Sequence, residues 1–111
     1  MSTGITTPDP ISPFRHDILA GRVVFITGGA TGIGYACAEA FGAHGAKVAI
    51  ASRRQNVIDA AVIRLKAQGI DAFGTTVDVR DYDRCVTAAN AVAAHFGRID
   101  FLINNAAGNF M

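Results

Sequence analysis

The residues whose types and spacing best suit a chemical role form a glycine-rich loop at 27–34, which reads Thr-Gly-Gly-Ala-Thr-Gly-Ile-Gly. An apolar run precedes the loop and a segment of helical periodicity follows it, an order that predicts strand, loop and helix. Unpaired backbone N–H groups at a helix start, with the positive end of the helix dipole, favour an anion there. The loop therefore predicts a diphosphate site; the alternative from these residues alone is a glycine-rich turn without a ligand.

Four glycines of this loop have expected structural roles. Gly28 and Gly29 would permit a tight turn with positive φ, and Gly32 would let a pyrophosphate approach the backbone closely. Gly34 would let the following helix pack tightly on its own strand.

Basic residues follow the second predicted strand, where an acidic residue would bind the ribose diol of NAD. Ser52, Arg53 and Arg54 offer a hydroxyl and two guanidinium groups instead. Such groups suit a 2′-phosphate, because each charge-assisted hydrogen bond contributes roughly 1.5–3 kcal/mol. These residues favour NADP(H) over NAD(H), and the alternative is a solvated basic turn.

Asp78 and Val79 follow the third predicted strand and are suited to an adenine. The carboxylate would accept from the exocyclic amine, and the valine would pack on the ring. Alternatively, Asp78 is a turn residue that caps the next helix. Asp81 is better placed for that cap, which leaves Asp78 available for a cofactor.

Alternating strands and helices must position these loops. The predicted strands are 22–26, 47–51, 71–77 and 99–104. The predicted helices are 33–44, 55–68 and 82–96, followed by Gly45, Gly69 and Gly97 as left-handed caps. This alternation predicts an α/β, Rossmann-like doubly wound parallel sheet with right-handed crossovers and strand order 3-2-1-4. Since ligands bind beyond the carboxyl ends of such strands, all the loops named above should meet at one site.

The periodicity also predicts one apolar face for each helix. The first comprises Ile33, Cys37, Ala40, Phe41 and His44; the second Ile58, Ala61, Val62 and Leu65; the third Val86, Ala89, Val92 and Phe96.

Composition limits the class of protein. The chain has 111 residues, half of them hydrophobic and only 17% charged, which suits one small domain with a sheet buried on both faces. The net charge is +1 and no basic block is present, so no nucleic-acid partner is expected. No apolar run approaches the roughly 18 residues of a membrane span, and no secretory signal is apparent. Two cysteines are expected as reduced thiols, and three scattered histidines share no spacing typical of a metal site.

The ends of the chain differ from its middle. Residues 1–17 carry three prolines among Ser, Thr and Asp, which predicts a flexible leader. Residues 18–111 are expected to be the N-terminal part of an NADP-binding Rossmann domain. Strand four would leave an open apolar edge, an aggregation hazard that intact proteins avoid. We therefore expect a chain truncated after strand four, the first half of something longer.

These motifs resemble the short-chain dehydrogenase/reductase family. Its fingerprint T-G-x-x-x-G-x-G matches 27–34, and its N-N-A-G element after strand four matches 104–108 with one extra alanine. Ala-Ala-Gly-Asn-Phe at 106–110 looks like the 2,4-dienoyl-CoA reductases of the family. The leader segment 12–19 resembles their peroxisomal branch, and the resemblance covers about residues 12–111.

The resemblance implies roles for individual residues. The cofactor-binding residues would be Gly28, Gly29, Ala30, Thr31, Gly32 and Ile33 at the diphosphate, Arg53 and Arg54 at the 2′-phosphate, Asp78 and Val79 at the adenine, and Asn105 and Ala106. The substrate-binding residues would be Arg53, Arg80 and Phe110, which contact the acyl-CoA. Asn109 belongs to the active site and is the candidate catalytic residue.

The implied activity is NADPH-dependent reduction of 2,4-dienoyl-CoA to 3-enoyl-CoA in β-oxidation of unsaturated fatty acids. Hydride would pass to the δ-carbon, and negative charge would spread onto the thioester oxygen, where Asn109 is expected to donate. One such donor contributes roughly 3–4 kcal/mol. Protonation at the α-carbon would complete the reaction.

Two departures from the family pattern matter. Ala30 replaces a common glycine, which a single methyl should permit. The family's distal tyrosine or serine and its lysine would lie beyond Met111, so activity is expected only with a missing C-terminal half. The resemblance further implies a peroxisomal location, otherwise a cytoplasmic one, and a homo-oligomer at full length.

Two other functions remain open. Another short-chain reductase acting on 3-oxoacyl or other keto substrates would need Ser, Tyr and Lys downstream, and would leave 107–110 unexplained. A non-catalytic nucleotide-binding fragment is the second alternative.

Overall fold

The computed structural model describes residues 17–78 and 80–105. The strands are β1 (Val23–Thr27), β2 (Lys47–Ser52), β3 (Ala72–Thr76) and β4 (Phe101–Asn104). The helices are α1 (Gly32–Ala43), α2 (Gln55–Ala67) and α3 (Tyr82–Phe96). Every predicted element is present, with boundaries within two residues of the prediction. Of the predicted leader, residues 1–16 lie outside the described residues.

The four strands form one parallel sheet in the order β3-β2-β1-β4. β1 lies between β2 and β4, so that Phe25 is opposite both Ala49 and Leu102. The predicted doubly wound fold and the strand order 3-2-1-4 are confirmed. The arrangement brings the ends of β1 and β4, far apart in sequence, into direct contact.

The sheet separates two apolar cores. Successive side chains of a strand point to opposite faces, so a wholly apolar strand contributes to both cores. Val24 and Ile26 of β1 pack with α1 and α2, whereas Val23 and Phe25 pack with α3. The alternation explains why all five residues of β1 are buried.

The buried face of α1 differs from the prediction. Gly34, Tyr35 and Ala38 are its buried residues, whereas Ile33 is 76% exposed and Ala40 is also exposed. Ile33 lies in the first turn of the helix, immediately after the glycine loop at the rim of the sheet. The strip that meets the sheet is therefore rotated from the face that apolar spacing alone indicates.

The other two helices agree better with the prediction. Ile58, Ala61 and Leu65 are the buried residues of α2, as expected. In α3, Val92 is buried as predicted, but Val86 is exposed and Ala88 takes its place in the core. The small side chain of Ala88 suits close packing of the helix on the sheet.

The helix ends follow the local signals in the sequence. Gly45, Gly69 and Gly97 have φ values of +99°, +83° and +87°, as a left-handed cap requires. The Asp81 carboxylate accepts from the Arg84 backbone N–H at 3.2 Å, which confirms Asp81 as the cap of α3. Within the described part of the chain, no helix is both long and apolar enough to cross a bilayer.

β4 has the predicted apolar edge. Phe101 is 41% and Leu102 64% exposed, whereas Ile99 and Ile103 are half-buried. Among the described residues, β4 pairs only with β1. Its other side has no strand partner in the described part of the chain and carries apolar side chains.

Candidate functional site

The loops that follow the four strands meet at one rim of the sheet and are joined by hydrogen bonds. The Gly28 N–H donates to the Ala51 carbonyl at 2.7 Å, which joins the ends of β1 and β2. The Val77 N–H donates to the Ser52 carbonyl at 2.9 Å and joins β3 to β2. The predicted convergence therefore exists as a connected backbone frame.

The glycine loop has left-handed backbone at two positions. Gly28 has φ +70° and Gly32 φ +58°. The prediction of a positive φ was wrong for Gly29, which is needed for another reason: a Cβ there would lie 2.6 Å from Ile50 Cγ2. The loop is thus seated against β2, and Gly29 is the contact that permits it.

Gly34 allows the first turn of α1 to rest directly on the loop. A Cβ at this position would collide with the Gly28 carbonyl oxygen and lie 2.8 Å from Asn105 Nδ2. Because neither a backbone carbonyl nor a half-buried amide can easily retreat, Gly34 is required for this packing. The helix was predicted to pack at Gly34 on its own strand, but the contact is with the loop after β1 and with Asn105.

The N-terminus of α1 opens at the rim without a carboxylate or a side-chain cap. Thr31 is the N-cap residue but makes no side-chain cap hydrogen bond, and the first turn contains no acidic residue. Thr31, Gly32 and Ile33 are exposed, whereas the Ala30 side chain is buried in the core. An anion could therefore reach the first-turn amides, while Ala30 could contribute only its backbone.

Two asparagines, the last residue of β4 and the residue that follows it, hold the loop in place. Asn105 Nδ2 donates to the Gly28 carbonyl at 3.3 Å, and Thr27 Oγ1 donates to Asn104 Oδ1 at 3.0 Å. The structure thus places Asn105, predicted to bind cofactor, at the loop through its side chain. Sequence reasoning missed the roles of Thr27 and Asn104. A single hydroxyl at the end of a buried apolar strand is the signal that could have indicated a partner for Thr27.

Arg53 lies beside Asp78, as the prediction of one site requires. Both line an open groove of about 580 Å³ together with Thr76 and Val77. Arg54 is the N-cap residue of α2 and does not line this groove. The structure therefore brings Arg53, but not Arg54, next to Asp78.

Asp78 and Arg80 form a forked ion pair. Asp78 Oδ1 accepts from the Arg80 backbone N–H and from Nε, each at 3.0 Å, and Oδ2 accepts from Nη2 at 2.8 Å. These hydrogen bonds hold the pKa of Asp78 well below its usual range, and the charge of Arg53 adds a smaller effect in the same direction. The pair likewise raises the pKa of Arg80. Both groups are therefore charged at neutral pH.

The Arg80 guanidinium keeps a second edge for other ligands. Only two of its five N–H groups bond to Asp78, and the remaining three have no bond among the described residues.

Four other predicted site residues lie outside the described residues: Val79, Ala106, Asn109 and Phe110.

The fold and the fingerprint loop are those of the short-chain dehydrogenases, and the chain belongs to that family: the family model described as short chain dehydrogenase matches residues 22–111. Among its relatives is the peroxisomal 2,4-dienoyl-CoA reductase [(3E)-enoyl-CoA-producing] of Arabidopsis thaliana, 46% identical over 100 residues, which cover 90% of this chain and 34% of the relative. The Danio rerio protein of the same name is 38% identical over 112 residues, 96% of this chain and 37% of the relative.

Solved structures agree with this family assignment. A crystal structure of actinorhodin polyketide ketoreductase with NADPH superposes with a TM-score of 0.74 and 32% identity, over 77% of this chain and 33% of that protein. The chain spans about a third of the length of the curated relatives it matches.

Proposed function

We propose that this chain forms the NADPH-binding part of a 2,4-dienoyl-CoA reductase. The observation that carries the proposal is the meeting of an open helix N-terminus, Arg53 and Asp78 at one rim of the sheet. The names of the relatives support the substrate class, and the NADPH in the solved ketoreductase supports the cofactor.

The residues at the rim fit the parts of NADPH in order. The backbone of 28–33 would hold the diphosphate, because its first-turn amides are open and no carboxylate repels an anion there. Arg53 would bind the 2′-phosphate, and Asp78 would accept from the adenine amine. Without a carboxylate after β2, nothing in this segment opposes a 2′-phosphate.

The substrate would be a conjugated dienoyl thioester of CoA. When bound, the reduced nicotinamide would supply a hydride to the δ-carbon, and a proton at the α-carbon would give the 3-enoyl-CoA. Asn109 is proposed to donate to the thioester oxygen as negative charge develops there. Arg53, Arg80 and Phe110 are proposed to contact the acyl-CoA, and the second edge of Arg80 suits that role.

The direct test is turnover by the whole protein. When the protein is mixed with NADPH and a 2,4-dienoyl-CoA, the absorbance of NADPH should fall as the cofactor is oxidised. The product should be a 3-enoyl-CoA, identified by mass spectrometry and NMR. NADH should be a poor substitute. Failure of the protein to bind NADPH would contradict the proposal that this chain forms a cofactor-binding site.

A ketoreductase is the second candidate, favoured by the similarity to the actinorhodin enzyme. Oxidation of NADPH with a 3-oxoacyl substrate but not with a dienoyl-CoA would establish it. Binding of NADPH without turnover of either substrate would instead indicate a non-catalytic nucleotide-binding role.

We also propose that the protein acts in peroxisomal β-oxidation of unsaturated fatty acids. The support is the shared name of the Arabidopsis and zebrafish relatives. Localisation of the tagged whole protein by microscopy, with a peroxisomal marker, tests it.

A further inference from the structure

Asp78 has almost no acceptor capacity left. An ionised carboxylate offers about four lone-pair positions, two on each oxygen. Arg80 takes three of them, two on Oδ1 and one on Oδ2. One position on Oδ2 therefore remains for a ligand in the groove that Asp78 lines.

We propose that Arg80 is a positioning residue that orients the Asp78 carboxylate so that it selects a 6-amino purine over a 6-oxo purine. This inference rests on the proposed function, because it concerns the adenine end of the same dinucleotide. A 6-amino group donates into the remaining acceptor position. A 6-oxo group places an acceptor against an acceptor, and the carboxylate gains nothing from it.

The fork is what gives the carboxylate a fixed direction. The terminal torsion of an aspartate side chain is soft, and an unpaired carboxylate samples a wide range of angles. Two guanidinium bonds and one backbone bond fix the plane of the Asp78 group.

The chain contains a matched control for Arg80. Arg98 is another exposed arginine, and its Nε and Nη2 donate to the Asp100 carboxylate, at the end of the strands opposite the groove. Arg84 is as exposed as Arg80 but lines the groove itself, so it is not a suitable control. Replacing Arg80 or Arg98 by methionine removes one positive charge and keeps much of the side-chain bulk. Only the Arg80 change leaves the Asp78 carboxylate without its fork.

The experiment measures the affinity of the protein for NADPH and for its hypoxanthine analogue, by isothermal titration calorimetry. The wild type should bind NADPH at least about tenfold more tightly, the worth of one hydrogen bond to a charged group. Arg80→Met should lower the affinity for NADPH by about that factor and leave the affinity for the analogue unchanged, so that the preference disappears. Arg80→Lys, which keeps the charge but not the fork, should also lose most of the preference, and Arg98→Met should keep it.

Each other outcome contradicts the inference. A wild type without preference, an Arg80→Met variant with the wild-type preference, or an equal loss in Arg98→Met would each overturn it. Since both arginines are exposed and a surface ion pair contributes little to stability, the variants should melt close to the wild-type temperature by circular dichroism. A protein that binds neither dinucleotide would contradict the proposed function itself, whereas binding with an unaltered preference contradicts the role of Arg80 alone.

Discussion

At the residue scale, the candidate site differs from one guanidinium group to the next: Arg80 is paired with Asp78, whereas Arg53 is not held in such a pair within the described part of the chain. Arg53 is exposed in the groove, and it forms no salt bridge with a carboxylate among the described residues. A guanidinium in that state can form the short bonds that a phosphate oxygen offers.

Arg53→Ala should distinguish the two nicotinamide cofactors. The substitution is expected to lower the affinity for NADPH by about 10- to 100-fold, corresponding to roughly 1.5–3 kcal/mol, and to change the affinity for NADH little. Lys66→Ala is the control, since it removes a positive charge from the exposed end of α2. Equal losses for both cofactors in Arg53→Ala would remove the argument for a 2′-phosphate site.

The ion pair with Arg80 should be visible in the titration of Asp78. In Arg80→Met the pKa of Asp78 should rise toward the ordinary aspartate value of about 3.9, because the hydrogen bonds that lower it are gone. Since the native pKa lies below the unfolded value, the pair stabilises the fold above that value and ceases to do so as pH falls through the native pKa. Carbon NMR of the Asp78 carboxyl measures the change in pKa, and Arg98→Met should leave the pKa of Asp78 low.

At the element scale, α1 can contact the glycine loop closely because Gly34 has no side chain. Gly34 lies where any Cβ would strike the Gly28 carbonyl, so the helix start and the loop form one rigid unit. The open first-turn amides thereby keep a fixed direction toward the rim.

Gly34→Ala should therefore damage both stability and binding. Overpacking against a backbone carbonyl is expected to cost about 1–3 kcal/mol and to turn the first-turn amides away from the diphosphate. Gly69→Ala is the comparison, because its Cβ would meet open space and its cost, about 1 kcal/mol, comes from backbone conformation alone. Chemical denaturation and NADPH titration measure the two effects; full NADPH affinity in Gly34→Ala would contradict this account.

At the opposite end of the strands, one carboxylate joins β1 to β4. Asp100 accepts from the Val23 N–H at 2.8 Å and contacts Arg98 at 2.7 Å and Arg22 at 3.5 Å. The hydrogen bond from Val23 is the main cause of its lowered pKa, with Arg98 and Arg22 acting in the same direction. This contribution is present above the ordinary aspartate pKa of about 3.9 and is lost as pH falls through the native value.

Asp100→Ala should lower the thermal midpoint at pH 7 and reduce the further loss of stability on acidification. Asp59→Ala removes an exposed carboxylate of α2 and serves as the control. Thermal melts between neutral and strongly acidic pH test the expectation. An Asp100→Ala variant that loses stability with acid as steeply as the wild type would refute it.

The elements also show how far sequence reasoning reaches. Gly97 and Asp81 act within one helix turn, so their caps were predictable from neighbouring residues. The exposure of Ile33 was not, because it depends on where the helix start lies relative to the sheet. The contact of Asn105 with Gly28 joins residues 77 positions apart, and it requires the register of β1 on β4, which periodicity does not determine.

At the scale of the whole molecule, β4 is one of the two edge strands of the sheet and carries large exposed apolar side chains. These residues, and backbone groups that pair with no other strand between residues 17 and 105, offer a template for another strand. The 111-residue chain should therefore self-associate as its concentration rises.

Leu102→Lys should reduce that association, because a charge on an edge strand disfavours edge-to-edge pairing. Ile63→Lys is a matched control: Ile63 is 68% exposed, close to the 64% of Leu102, but lies on α2. Sedimentation over a range of concentrations measures the effect. Equal reductions in both variants would indicate general solubility rather than strand pairing.

The order of strands has a consequence for the time at which this site is made. β1 emerges early during synthesis but cannot complete its pairing until β4, some 77 residues later, has left the ribosome. Until then one edge of β1 has no strand partner, and the Gly28 carbonyl cannot accept the hydrogen bond from Asn105. The nascent chain thus carries a glycine loop long before it carries a site, and a ligand that needs the finished rim cannot be captured by the unfinished chain.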